Sequence, residues 1–159
     1  MISSHTGFQP LKEVWVGDVY PAEFYSYLPN QLEDSLARLT ETTKADLNQV
    51  EKKLVELGVQ VRRPTFGSVD LYTSENKLVK PPICPRDWAL TLGNTLYVTP
   101  QYESGVEPFQ QAIDDYSQQG QKVRILDRFC EHPDPWTWVP CPSVVRVGRD
   151  VYIDYFIFP

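Results

Sequence analysis

The sequence predicts an α/β fold built from a repeated strand–strand–helix–strand unit. Three observations predict it. Segments 14–20, 90–97 and 145–152 share one pattern: apolar alternation, a single glycine, one or two polar turn residues, then a return strand carrying tyrosine. After each of the first two comes a stretch with helical periodicity. After each helix comes a further short alternating run. The chain is read as a single domain, 1–159. Repeat 1 spans about 8–66 and repeat 2 about 84–128, while residues 143–159 form a third, partial repeat.

The elements follow in order. Residues 13–16 read as a strand, Gly17-Asp18 as a tight turn and 19–20 as the return. Leu32, Leu36, Leu39, Thr43, Leu47, Val50, Leu54 and Leu57 recur at steps of three and four, one face of a long amphipathic helix. Asn30 is placed as its N-cap with Glu33 three residues on, and Gly58 as its C′ residue. Thr40, Thr42 and Thr43 are weak helix formers and mark a candidate bend or break. Residues 59–63 alternate as a strand that Pro64 stops. Residues 65–82 carry glycine, serine, asparagine and proline and read as a long irregular connection.

The pattern then restarts. Residues 88–92 read as a strand, Gly93-Asn94 as a hairpin turn and 95–98 as the return. Ser104 and Glu107 suggest a capping box. Phe109, Ala112, Ile113 and Tyr116 give a second helical face, closed by Gly120. Residues 122–126 are the next strand. A proline- and tryptophan-rich link containing Trp136 and Trp138 leads to the last hairpin, 144–153, turning at Gly148-Arg149-Asp150.

Composition limits the function classes. Apolar residues at 42% and charged residues at 23% describe a globular chain. A net charge of −6 disfavours nucleic acid and anionic membrane as partners. No apolar run approaches the ~18 residues of a membrane helix. The residues after Met1 show no basic and apolar leader, so no signal peptide is expected. Three cysteines, Cys84, Cys130 and Cys141, make no close pair, which fits a reducing cytoplasm.

Two motifs carry a resemblance. One is Pro85-Arg86-Asp87 leading into a strand that ends in Gly93-Asn94. The other is Arg146-Val147-Gly148-Arg149-Asp150. With the opening run 7–14, they resemble, in order and over nearly the whole chain, the amidinotransferases of the pentein superfamily. The resemblance implies an α/β propeller of strand–strand–helix–strand blades, here two complete units plus a third hairpin. It also implies chemistry on guanidino compounds such as arginine. In that family a thiolate attacks the guanidinium carbon, a histidine moves protons and carboxylates hold the cation. No cofactor is expected here.

The resemblance places Asp87 as a carboxylate that contacts the guanidinium, with Arg86 as a weaker substrate-binding candidate. A guanidinium is planar, always charged and rich in donors, so it suits a carboxylate in a fixed fork. A turn aspartate paired with Arg86 is the plainer alternative. The family's catalytic histidine and cysteine lie beyond position 159, and neither His5 nor His132 matches the histidine motif. Pro140 stands where the family carries the carboxylate that orients the histidine. The expectation is a short form or part of a longer protein, inactive alone, with no catalytic residue assigned. A binding or assembly module on the same fold is the alternative.

Cys84 is a candidate nucleophile only in outline, because a carboxylate nearby disfavours the thiolate form a nucleophile needs. Cys130, His132 and Cys141 are unusually spaced for a metal cluster, so no metal is expected. Asp150 and Arg149 read as turn residues and Asp154 as solvent-facing. Residues 155–158 are too apolar to hang free, so they pack internally or cover a strand edge. Exposed edges or this apolar end would support a homo-oligomer.

Overall fold

A computed structural model describes residues 2, 4–5, 9–21, 25, 29–66, 81–98, 107–125, 137–138, 144–147, 150–153 and 156–157. The chain divides into two compact units: Leu11–Cys84, and Pro85–Pro159 together with Met1–Pro10.

In the Leu11–Cys84 unit, β1 (Glu13–Trp15) and β2 (Gln60–Arg62) pair in parallel, joined through α1 (Asn30–Glu56). Parallel neighbours need such a crossover. Val16 N–H donates to the Arg62 carbonyl at 3.0 Å and Gln60 N–H to the Lys12 carbonyl at 2.8 Å, extending the ladder at both ends. Glu13 and Arg62 form an ion pair across it at 2.9 Å.

The expected first hairpin is not formed. Residues 16–21 form no strand. Instead Asp18 N–H donates to the Pro82 carbonyl at 3.1 Å. Val19 and Tyr20 are buried, and Pro21, which has no N–H to give a ladder, follows them. Tyr20, Tyr25, Leu36 and Phe66 cluster in the core, with the Tyr20 and Phe66 rings 5.4 Å apart.

α1 is continuous through Thr40, Thr42 and Thr43, so the candidate break is corrected. Thr42 returns its hydroxyl to the Arg38 carbonyl at 3.0 Å, and Thr40 is buried. Burial of one face outweighs the few tenths of a kcal/mol lost at each threonine. Asn30 is the first helical residue rather than the cap. Pro29, extended at φ −57° and ψ 139°, holds the cap position, and its carbonyl accepts from Leu32 and Glu33 N–H. Gly58 does follow the helix at φ +78°, where a side chain would be strained.

The other unit contains the strand–strand–helix–strand order that the sequence predicts. β3 (Ala89–Leu92) and β4 (Thr95–Val98) form a hairpin turning at Gly93, φ +61°. β5 (Lys122–Ile125) pairs in parallel with β4 after α2 (Gln110–Gln118). Phe109, Ala112, Ile113 and Tyr116 are all buried as expected. Gly120, φ +70°, follows the helix. A 3-10 turn occupies Glu107–Phe109 and α2 begins at Gln110 without a side-chain cap, because Pro108 disfavours α geometry in the residue before it. Ser104 lies outside the described residues.

β6 (Thr137–Trp138) pairs with β9 (Phe156–Ile157), and β7 (Val144–Val147) with β8 (Asp150–Ile153), both antiparallel. The β7–β8 hairpin was expected. The tryptophan-rich link containing β6 was not expected to hold a strand. The described strands form four separate sheets.

Candidate functional site

Pro85–Asp87 form one 3-10 turn, which delivers Asp87 to the start of β3. Proline fixes φ at the head of this turn, and Trp88 N–H closes it on the Pro85 carbonyl at 3.0 Å. Trp88 is 2% exposed and anchors the downstream side. Asp87 is half-buried and Arg86 exposed. A half-buried carboxylate on a turn held from below can accept a planar cation from the solvent side.

Cys84 is exposed and is the last residue of the other unit. Cys130, His132, Pro140, Cys141, Arg149 and Asp154 lie outside the described residues. Asp150 opens β8 and is exposed. His5 is exposed, donates its backbone N–H to Gln9 Oε1 at 2.9 Å, and lies over Gly93. Arg146 is half-buried and donates to the Ser4 carbonyl, while Ser4 and Gly93 exchange backbone hydrogen bonds. Among the described residues no group of three histidine, cysteine or acidic side chains is placed to hold a metal ion. No helix among them is long and apolar enough to cross a membrane.

The structure also brings together residues that the sequence did not. Arg63, the residue after β2, reaches Asp18 Oδ2 at 2.9 Å, with both side chains largely buried. Its guanidinium also donates to the Leu47 carbonyl and to Asn48 Oδ1, each at 3.3 Å, on α1. Asp18 Oδ1 accepts from Val19 N–H at 2.8 Å. Gly17 lies against the Pro82–Ile83 backbone so closely that a Cβ there would run into both carbonyl oxygens. Tyr25 packs in the core of the same unit. Burial pushes its hydroxyl pKa above the ordinary 10.0, against a smaller lowering by the hydrogen bond with Thr40.

With that geometry in place, comparison with solved structures is informative. Inosamine-phosphate amidinotransferase of Streptomyces griseus superposes with a TM-score of 0.66 at 21% identity, over 96% of this chain and 55% of that one. This chain has the amidinotransferase fold. A second amidinotransferase, from the saxitoxin biosynthetic pathway of Microseira wollei, gives a TM-score of 0.65 at 19% identity, over 94% of this chain and 53% of that one. The chain thus spans about half the length of the amidinotransferases it matches. No family model and no curated protein matches it.

Proposed function

We propose that this chain is an amidinotransferase-like protein in which Asp87 receives the guanidinium of a small guanidino compound. The observation that carries the reading is the Pro85–Asp87 turn, which holds a half-buried carboxylate at the head of a strand on an amidinotransferase fold. Arg86, exposed beside it, is assigned the weaker role of meeting an anionic group on the same compound. The two β-hairpins and the β3–β4–α2–β5 unit are read as blades, or parts of blades, of a propeller. Turnover is not assigned to this stretch, because Pro140 stands where the resemblance puts the carboxylate that orients a catalytic histidine.

Isothermal titration with L-arginine, guanidinoacetate and agmatine tests the reading. At least one should bind, and Asp87→Ala should weaken it by roughly 10- to 100-fold, the worth of a charge-assisted hydrogen bond. No heat from any of the three, or an unchanged constant in Asp87→Ala, overturns it.

A second reading, an assembly module that kept the fold, is favoured by the exposed apolar face of the β7–β8 hairpin. Val145, Val147 and Tyr152 are 48%, 61% and 60% exposed there. It requires a defined oligomer or complex in solution, and a stable monomer that co-purifies with nothing ends it.

A further inference from the structure

The covered face of α1 does not use all of its apolar residues. Leu32, Leu39, Val50 and Leu57 form a row beside that face, each about half exposed or more. Leu57 is the cap residue, and its N–H still reaches the Lys53 carbonyl at 3.2 Å, so the row runs to the end of the helix. At ~1.5 Å per residue the row is roughly 37 Å long. Single exposed apolar residues are ordinary, but a continuous stripe marks an interaction surface.

The spacing of the row fits one partner. Its steps are seven, eleven and seven residues, the same read from either end. The row therefore matches a second copy of itself turned end for end. Leu32 then meets Leu57 of the second copy, and Leu39 meets Val50. The row advances by about 3.6 residues per turn, so it stays nearly straight and lets two helices touch along it at a shallow ~20° crossing. Charge selects the direction. Asp46 and Lys53 are exposed and flank the row. Parallel pairing would set Asp46 against Asp46 and Lys53 against Lys53, and like charges so placed repel. Antiparallel pairing sets Asp46 beside Thr43, whose hydroxyl can donate to it, and Lys53 beside Ser35.

We propose that α1 is a dimerisation helix, which pairs antiparallel with α1 of a second copy through Leu32, Leu39, Val50 and Leu57. The proposal is independent of Asp87 and of any guanidinium. The contact uses the same surface on both copies, so it closes at two. Four apolar side chains from each copy make a small interface, about 1,200 Å² in total, so the dimer parts on dilution.

Sedimentation velocity on the full chain tests it. Wild type should be monomeric at about 2 µM and mostly dimeric at about 200 µM. Leu39→Glu and Val50→Lys should each weaken the dimer at least about tenfold, because each sets a charge against an apolar partner. Mixed in equal amounts, the two variants should dimerise again with each other. Antiparallel pairing places position 39 of one chain against position 50 of the other and so joins the new charges, whereas parallel pairing keeps them apart. In dilute solution, where the copies are separate, both variants should melt at the wild-type temperature. A wild-type monomer at the higher concentration overturns the proposal and leaves the row to a different protein. A dimer that survives both substitutions overturns it too, as does a mixture that stays monomeric. A variant that melts early in dilute solution would show the row packed within its own chain, with the same consequence.

Discussion

Arg63 is the side chain on which the polar interior of its unit depends. It is a largely buried cation with two carboxylates, Asp18 at 2.9 Å and Glu51 at 3.7 Å, a backbone carbonyl and an amide around it. Arg63→Met should cost about 2–3 kcal/mol in urea unfolding, because Asp18 keeps its charge and loses its partner. Lys53 and Glu56 are closer, at 2.7 Å, yet their side chains are 75% and 47% exposed. Lys53→Ala should therefore stay within about 0.5 kcal/mol. Equal effects of the two substitutions would refute this ranking by burial. Tyr25 gives a pH prediction with a definite sign. Its hydroxyl is raised when folded, so the unfolded chain ionises first as pH climbs past about 10. Its contribution to stability is complete below that pH and is lost as pH rises through the folded value. Tyr25→Phe should flatten the alkaline fall in melting temperature relative to wild type. Parallel curves for the two proteins would contradict it. The Pro85-Arg86-Asp87 turn was legible because its three residues are neighbours and proline fixes the geometry. The Gly17–Asp18–Arg63 cluster was not, because Gly17 meets Ile83 across the intervening helix, strand and long connection. In one dimension Gly17-Asp18 is an ordinary turn.

At the scale of elements, α1 shows what periodicity can and cannot fix. The three–four spacing finds the helix and its glycine stop, yet it merges two rows of the surface. Leu36, Thr40, Thr43, Leu47 and Leu54 form the covered row. Leu32, Leu39, Val50 and Leu57 lie beside it and are 54%, 62%, 48% and 78% exposed. Leu36 packs on Tyr20 and Tyr25, whereas Leu39 packs on nothing comparable. Leu36→Ala should therefore destabilise the chain by about 2 kcal/mol, the lower end for a partly buried leucine. Leu39→Gln should change it by less than about 0.5 kcal/mol. Chemical denaturation of both variants decides, and a costly Leu39→Gln would show that the exposed row is covered in solution. Strand pairing was legible where a hairpin turn sits between neighbours, as at Gly93. It was illegible where partners are distant, as for β6 with β9. The false hairpin at Gly17-Asp18 has the same cause: a glycine needed for close approach to a remote backbone looks, in sequence, like a glycine needed to turn.

At the scale of the whole molecule, the strand–strand–helix–strand order does more than the motifs to fix the architecture. It fixes which strands run parallel, since β5 can reach β4 only after α2 has crossed back. The same order leaves the β7–β8 hairpin as a two-stranded sheet of its own. Among the described residues no helix follows it and no third strand joins its sheet. An isolated two-stranded ribbon is marginal in water. This one also turns Val145, Val147 and Tyr152 outward on a single face, with Ile153 53% exposed on the other. An exposed apolar strand face, here interrupted only by Asp150 among the described residues, is an association hazard, and natural edges carry lysine to blunt it. Lysine at these positions should cost little folding energy, since each side chain is already about half exposed or more. Val147→Lys and Tyr152→Lys should therefore leave the melting temperature nearly unchanged, while raising the concentration at which light scattering first reports self-association. A fall in melting temperature of several degrees would show instead that this face is packed inside the folded chain. Unchanged scattering would place the association elsewhere, with the exposed row of α1 as the next surface to charge.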